Sequence, residues 1–216
     1  MTLSVDVHWS FRSPYSYLAT RRLAELRQRY DLEIVFRPVY PLAVRKADFF
    51  TSVNPAWVKY VQRDAPRLAE FLGLPFRWPK PDPIVQDMAT LKIAEGQPYI
   101  RRLTRMGQAA ADSGRGIEFA YEVSALLWGG TRGWNEGDHL RDAVLRAGLA
   151  IEELDAAIDA DPEGYDTRIA ANQNALEAAG HWGVPTMVFE GEPFFGQDRI
   201  DLLVWRLKQR GLAVRN

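Results

Sequence analysis

Strand periodicity occurs in this 216-residue chain only towards its two ends, and the residues between carry helical periodicity. That distribution constrains the fold more than any single motif. Near the N-terminus Leu3, Val5, Val7 and Trp9 alternate with Ser4, Asp6, His8 and Ser10, the period-two pattern of a strand with one buried face. Ala19, Leu23, Leu26 and Tyr30 then recur at three- and four-residue steps, the stripe of an amphipathic helix. Leu32, Ile34 and Phe36 alternate again, and Pro38 keeps Arg37 extended. Strand, helix, strand implies a right-handed crossover between parallel strands.

The middle of the chain reads as helices, with apolar stripes at Trp57, Val61, Leu68, Phe71 and Leu72, at Ile100, Leu103, Met106 and Ala110, and at Phe119, Val123, Leu126 and Leu127. Further stripes follow at Leu140, Ala143, Val144 and Ala147, and at Leu154, Ala157 and Ile158. Breaks fall at the proline-rich run from Leu74 to Pro83, at Ser113–Gly116 and at Gly129–Gly133. Tyr165, Ile169, Asn172 and Leu176 place one more helix before Gly180. Strand signals return at Pro185–Phe189 and Phe194–Phe195 around the turn Glu190-Gly191-Glu192-Pro193, which reads as a hairpin. Ile200, Leu203, Val204 and Leu207 then form a final helix opened by Asp198. A βαβ unit, a helical block and a ββα unit predict an α/β fold, in which the terminal units share one mixed sheet and the helices are inserted. The alternative on pattern alone is a helical protein with peripheral strands.

With 27 basic and 28 acidic residues and no long block of either sign, the composition does not support a nucleic-acid or anionic-membrane surface. The N-terminal residues lack a basic region followed by an apolar core, and no apolar run approaches the roughly 18 residues of a membrane span. A cytoplasmic protein with small-molecule or protein partners is expected. The chain contains no cysteine, which excludes disulfides, thiolate metal sites and a cysteine nucleophile of its own. His8, His139 and His181 have no paired spacing, so a metal site has no support and they read as surface or core histidines.

The junction Ser10-Phe11-Arg12-Ser13-Pro14-Tyr15-Ser16-Tyr17-Leu18-Ala19 joins the first strand to the first helix. Ser13 suits the N-cap and Pro14 the first helical turn, where a missing N–H costs nothing. A hydroxyl there sits among unpaired N–H groups at the positive end of a helix dipole, a place that favours an anion. The carboxyl ends of the strands of an open α/β sheet are where ligands bind, and Ser13 lies at one of them. The plainer reading is that Ser13 only caps the helix.

The segment Phe11–Ala19, together with Gly183-Val184-Pro185-Thr186 and Phe195-Gly196-Gln197-Asp198-Arg199, resembles the 2-hydroxychromene-2-carboxylate isomerases. These are related to kappa-class glutathione transferases and to DsbA-like thioredoxin-fold proteins. The resemblance covers nearly the whole chain and is strongest at its ends. It implies a thioredoxin-like fold (βαβ…ββα, mixed sheet) with a large all-helical insertion, residues 1–50 and 165–216 forming the thioredoxin-like domain and 51–164 the insertion. Where a thioredoxin carries Cys-x-x-Cys, this chain carries Ser13-Pro14-Tyr15-Ser16, so the thiol has to come from outside, and the resemblance implies glutathione.

A free thiol has a pKa of about 8.5, and a helix N-terminus contributes about 0.3 to 1 kcal/mol towards the anion, reaching about 2 in partly buried geometry. At about 1.4 kcal/mol per unit, the dipole alone lowers the thiol by a unit or so. A hydrogen bond from the Ser13 hydroxyl adds a charge-assisted donor, making Ser13 the expected catalytic residue, as donor to the sulfur and not as nucleophile. The resemblance further implies glutathione contacts at Pro14, at Val184 and a cis-Pro185, and at Gln197 and Asp198, which hold the γ-glutamyl end. By residue type alone Val184-Pro185 is an ordinary trans bond and Asp198 a helix cap.

Two departures stand out. Several relatives carry a lysine where this chain has Trp57, which leaves Asn54 and a displaced Lys59 as polar candidates near the glycyl end of glutathione. The stretch ending Pro83-Ile84-Val85-Gln86-Asp87 lacks the asparagine- and arginine-containing segment associated with chromene carboxylate binding. Trp57, Trp78, Trp128 and Trp134 are candidates for an aromatic pocket, or for the core. The resemblance implies a glutathione-dependent isomerase in aromatic-compound catabolism, homodimeric, acting on a small aromatic or electrophilic substrate. The alternatives are a kappa-like transferase that conjugates an electrophile, and a non-catalytic scaffold or glutathione/peptide-binding protein.

Overall fold

The computed structural model describes residues 2–46, 48–87, 90 and 92–215. Four strands form one mixed sheet in the order β2-β1-β3-β4. Strand β1 (Leu3–Trp9) leads into helix α1 (Pro14–Arg29) and then β2 (Leu32–Pro38), which pairs parallel with β1 from Leu3↔Leu32 to Trp9↔Pro38. Near the C-terminus β3 (Thr186–Phe189) pairs antiparallel with both β1 and β4 (Glu192–Phe195). A turn through Glu190 and Gly191, both at positive φ, closes that hairpin. The terminal units therefore share a sheet, as the order of strand signals predicts.

Between them lie the short helices α2 (Leu42–Arg45) and α3 (Phe49–Ser52), which have no clear sequence signature, and then α4 (Pro55–Phe71). The described residues 72–87, 90 and 92–97 form no helix and precede α5 (Pro98–Asp112), α6 (Gly116–Trp128), α7 (His139–Arg146), α8 (Ile151–Ala160) and α9 (Pro162–Ala178). The chain ends with a 3₁₀ turn (Gln197–Arg199) and α10 (Ile200–Gln209). The inserted helices are not a separate layer: α5 and α6 pack on β2, α6 packs on α1, and one hydrophobic cluster runs from Val5 and Trp9 through Phe119 and Trp128 to Leu207.

Two expectations are corrected by the packing. Strand β1 was expected to bury one face, yet His8 and Ser10 are as buried as Val7 and Trp9, because helices cover the sheet where this central strand ends. Phe71 and Ala157, placed on apolar stripes by spacing, point to solvent, Phe71 with 83% of its surface exposed at the end of α4. Among the described residues no helix is long and apolar enough to cross a membrane.

Candidate active site

The β1–α1 turn is fixed from beneath by buried aromatic rings. The Trp9 indole donates to the Ser16 carbonyl (3.0 Å) and the Thr20 hydroxyl (3.1 Å), and the Trp128 indole donates to the Phe11 carbonyl (3.2 Å). Phe11 is fully buried, edge-on to both Trp9 and Phe119. The next residues are thereby turned outward. Ser13 caps α1 in extended geometry (φ −97°, ψ 117°), its Oγ accepting from Ser16 N–H at 3.2 Å, with Pro14 following in the first turn. Tyr15 N–H, next in that turn, makes no hydrogen bond among the described residues.

Opposite Ser13 stands Val184-Pro185, a cis peptide as the resemblance implies. The Ser13 hydroxyl donates to the Val184 carbonyl at 3.2 Å across 171 residues of sequence, so the two motifs from opposite ends of the chain meet. One detail differs from expectation. The hydroxyl predicted to face a ligand is engaged by Val184, while Val184 N–H makes no hydrogen bond among the described residues. A donor of this length to a neutral carbonyl is readily outcompeted by an anion, because charge-assisted hydrogen bonds are roughly twice as strong.

A cavity of about 550 Å³ opens above this pair, within the range of roughly 300–1,000 Å³ typical of small-molecule pockets. Ser13, Pro14, Gly183 and Val184 form its inner wall; Phe49, Trp57, Val58 and Val61 form an outer wall; and Trp78, Trp182 and Phe195 stand at its margin. Trp57 packs edge-on to Phe49, while His181 stacks between Trp182 and Phe195 and its Nδ1 accepts from Gly183 N–H at 2.9 Å. Ser10 also borders the cavity, its hydroxyl buried and without a hydrogen-bond partner among the described residues. The outer wall is tied to the inner by Tyr15, whose hydroxyl donates to Asp64 at 2.8 Å. Burial together with that bond pushes the Tyr15 hydroxyl well above the ordinary phenol range. Burial favours the neutral form of Asp64, but hydrogen bonds from Arg67, Tyr15 and Tyr60 outweigh it and hold the carboxyl below the usual carboxylate range.

Not every predicted site residue lies here. Ser13, Pro14 and Val184 line the cavity, and Pro185 lies directly behind Val184, its carbonyl accepting from Gly196 N–H at 2.9 Å. Asn54 does not line it: it caps α4 by accepting from Ala56 N–H at 2.9 Å. Gln197 and Asp198 follow Phe195 at the rim but not in the cavity, Gln197 buried and Asp198 exposed and paired with Arg199 at 2.7 Å. Lys59 faces solvent outside it. Of the tryptophans singled out in the sequence, Trp57 and Trp78 border the cavity while Trp128 and Trp134 are core. Arg12, Phe49, Trp182 and Phe195 were missed as lining residues, although three of them lie in or beside the quoted motifs.

A family model for the DSBA-like thioredoxin domain matches residues 4–208. The chain belongs to that family. Within it, this DSBA-like protein is 27% identical over 207 residues to a 2-hydroxychromene-2-carboxylate isomerase of Sphingobium xenophagum, covering 94% of this chain and 97% of the relative. It is 28% identical over 214 residues to the enzyme of that name from Pseudomonas putida, covering 92% and 91%. A solved 2-hydroxychromene-2-carboxylate isomerase structure superposes with a TM-score of 0.66 at 24% identity, over 96% of this chain and 95% of that one, and shares the fold. This DSBA-like chain thus keeps the thioredoxin architecture with serine at both positions of the dithiol turn.

Proposed function

We propose that this protein is a glutathione-dependent isomerase of the 2-hydroxychromene-2-carboxylate type. The observation that carries the reading is the 3.2 Å contact between Ser13 and Val184 at the floor of an aromatic-lined cavity, in a chain without cysteine. The isomerase names of the relatives, matched over almost their whole length, give the reaction class.

The floor suits the cysteinyl unit of glutathione. Val184 N–H is open to the carbonyl of a peptide laid along it, Tyr15 N–H and the dipole of the 16-residue helix α1 favour an anion, and the Ser13 hydroxyl is the donor within reach. Glutathione held there by Val184 N–H, Tyr15 N–H and Ser13 would supply a sulfur nucleophile for reversible addition to the organic substrate, with no net consumption of thiol. Ser13 would stabilise that sulfur as an anion by turning its hydroxyl from Val184 towards it. Phe49, Trp57 and Trp78 enclose an aromatic substrate and exclude water from the reacting carbons. Gln197 and Asp198, at the rim beyond Phe195, are in reach of the γ-glutamyl end only if glutathione extends out of the cavity.

The test combines two measurements on the purified protein. Conversion of 2-hydroxychromene-2-carboxylate is followed with and without glutathione, and free thiol is titrated throughout. The proposal expects turnover that requires glutathione and leaves the thiol titre constant. A falling titre would instead identify a transferase, and no glutathione binding at millimolar concentration would identify a non-catalytic protein.

A further inference from the structure

The cavity is apolar and aromatic, yet one charged side chain reaches it. Among the described residues that line it, Arg12 carries the only formal charge. Its guanidinium is held from one side: Nε donates to Asp82 Oδ1 at 2.6 Å, and that carboxylate oxygen is itself fixed by Ile84 N–H at 3.0 Å. The two terminal nitrogens make no hydrogen bond among the described residues, and the side chain keeps 21% of its surface exposed. Arg45, the other buried arginine nearby, is occupied, donating to the carbonyls of Tyr40 (2.8 Å) and Trp182 (3.0 Å).

We propose that Arg12 anchors the carboxylate of the organic substrate in this cavity, a specificity-determining role beside Ser13. The inference rests on the reading of the cavity as a substrate site. A planar guanidinium with its terminal N–H edge open matches the two oxygens of a carboxylate. The apolar walls fix the rest of the ligand as flat and aromatic. Arg12 also answers the departure noted above, because the segment after α4 contributes Asp82 to orient the arginine while none of that segment's own cations lines the cavity among the described residues. With glutathione laid along Val184, Arg12 is left for the second substrate, adjacent in sequence to the residue that holds the sulfur.

Calorimetry with trans-2-hydroxycinnamate, its methyl ester and glutathione as separate probes tests this, on the wild type and on Arg12→Gln and Arg12→Lys. The expected result is that Arg12→Gln weakens the carboxylate roughly ten- to hundredfold, leaves the ester and glutathione within twofold, and that Arg12→Lys recovers part of the loss. Equal weakening of acid and ester would overturn the proposal, showing that Arg12 only pins the loop. Weakening of glutathione alone would overturn it by assigning Arg12 to a glutathione carboxylate, and so would a wild type that does not bind the acid at millimolar concentration. If the wild type binds the acid in the expected Arg12-dependent manner but not glutathione, Arg12 stands and the glutathione reading fails.

Discussion

The inner wall of the cavity, built by the Ser10–Ser16 turn and Gly183–Val184, and the outer wall, built by α3 and the first half of α4, differ in what holds them. Beneath the inner wall Trp9, Phe11 and Trp128 are fully buried, and two indole N–H groups fix the backbone of the turn. The outer wall has Trp57 44% exposed and Tyr60 56% exposed, and α4 is tied back to α1 by the bond from Tyr15 to Asp64. The group proposed to handle sulfur is therefore placed by the core, while groups that touch only the organic substrate stand on a helix the core specifies weakly. Substitutions on the inner wall are expected to reach turnover or stability, and those on the outer wall to reach substrate affinity.

The largest effect is expected at Ser13. Ser13→Ala removes one preorganised donor to the sulfur and is expected to lower kcat roughly 100- to 1,000-fold. Loss of the helix cap costs about 1 kcal/mol, a shift of only a few degrees in Tm. Turnover within threefold of wild type would reduce the inner wall to scaffold. Acid is expected to act next. Burial lowers His8 from 6.5 to about 4, with Asp6 partly opposing, so between those values the unfolded chain binds a proton that the folded one does not. Stability is thus expected to fall as pH drops from about 6.5 towards 4, by about 3 kcal/mol in all, read from urea midpoints against His8→Gln. Asp64 is shifted in the same direction, by hydrogen bonds that outweigh its burial, so its contribution is lost only as pH falls below about 4. The strand beneath the inner wall is then expected to weaken at milder acidity than the latch of the outer wall. Coincident loss in wild type and His8→Gln would contradict this.

Gly107→Ala comes third. A Cβ there would sit 2.8 Å from Phe11 Cε2, and a ring buried under the turn cannot swing aside, so about 1–3 kcal/mol of stability is expected to go, visible as a lower Tm. The smallest effect is expected at Trp57→Ala. It removes an edge-on contact with Phe49 worth about 0.5–1.5 kcal/mol, raising KM for an aromatic substrate severalfold with kcat within about twofold. A large loss of kcat there would erase the difference between the walls.

The parts legible in the sequence are those governed by local chemistry or by a strict period. Ser13-Pro14 is readable because an N-cap hydroxyl and a first-turn proline answer backbone needs that arise wherever a helix begins. The strands β1 and β2 are readable from alternation, although alternation could not show that a central strand would bury His8 as well. The sequence from Leu74 to Pro83 has no period, so nothing in it announced that Trp78 would border the cavity while Trp128 would not, or that Asp82 would meet Arg12 across 70 residues. Asn54 shows the limit of residue type: the amide that suits a ligand also suits a cap, and the backbone of α4 claims it.

The central claim is that the start of α1 holds the sulfur of bound glutathione as an anion, and its most direct measurement is the thiol pKa of that bound molecule, from ultraviolet thiolate absorbance titrated on wild type and Ser13→Ala. The account predicts a wild-type value at least one unit below the free thiol, near 8.5, and a return of most of that shift in Ser13→Ala. A bound thiol that titrates like the free one, or a lowered value that Ser13→Ala leaves in place, would contradict it.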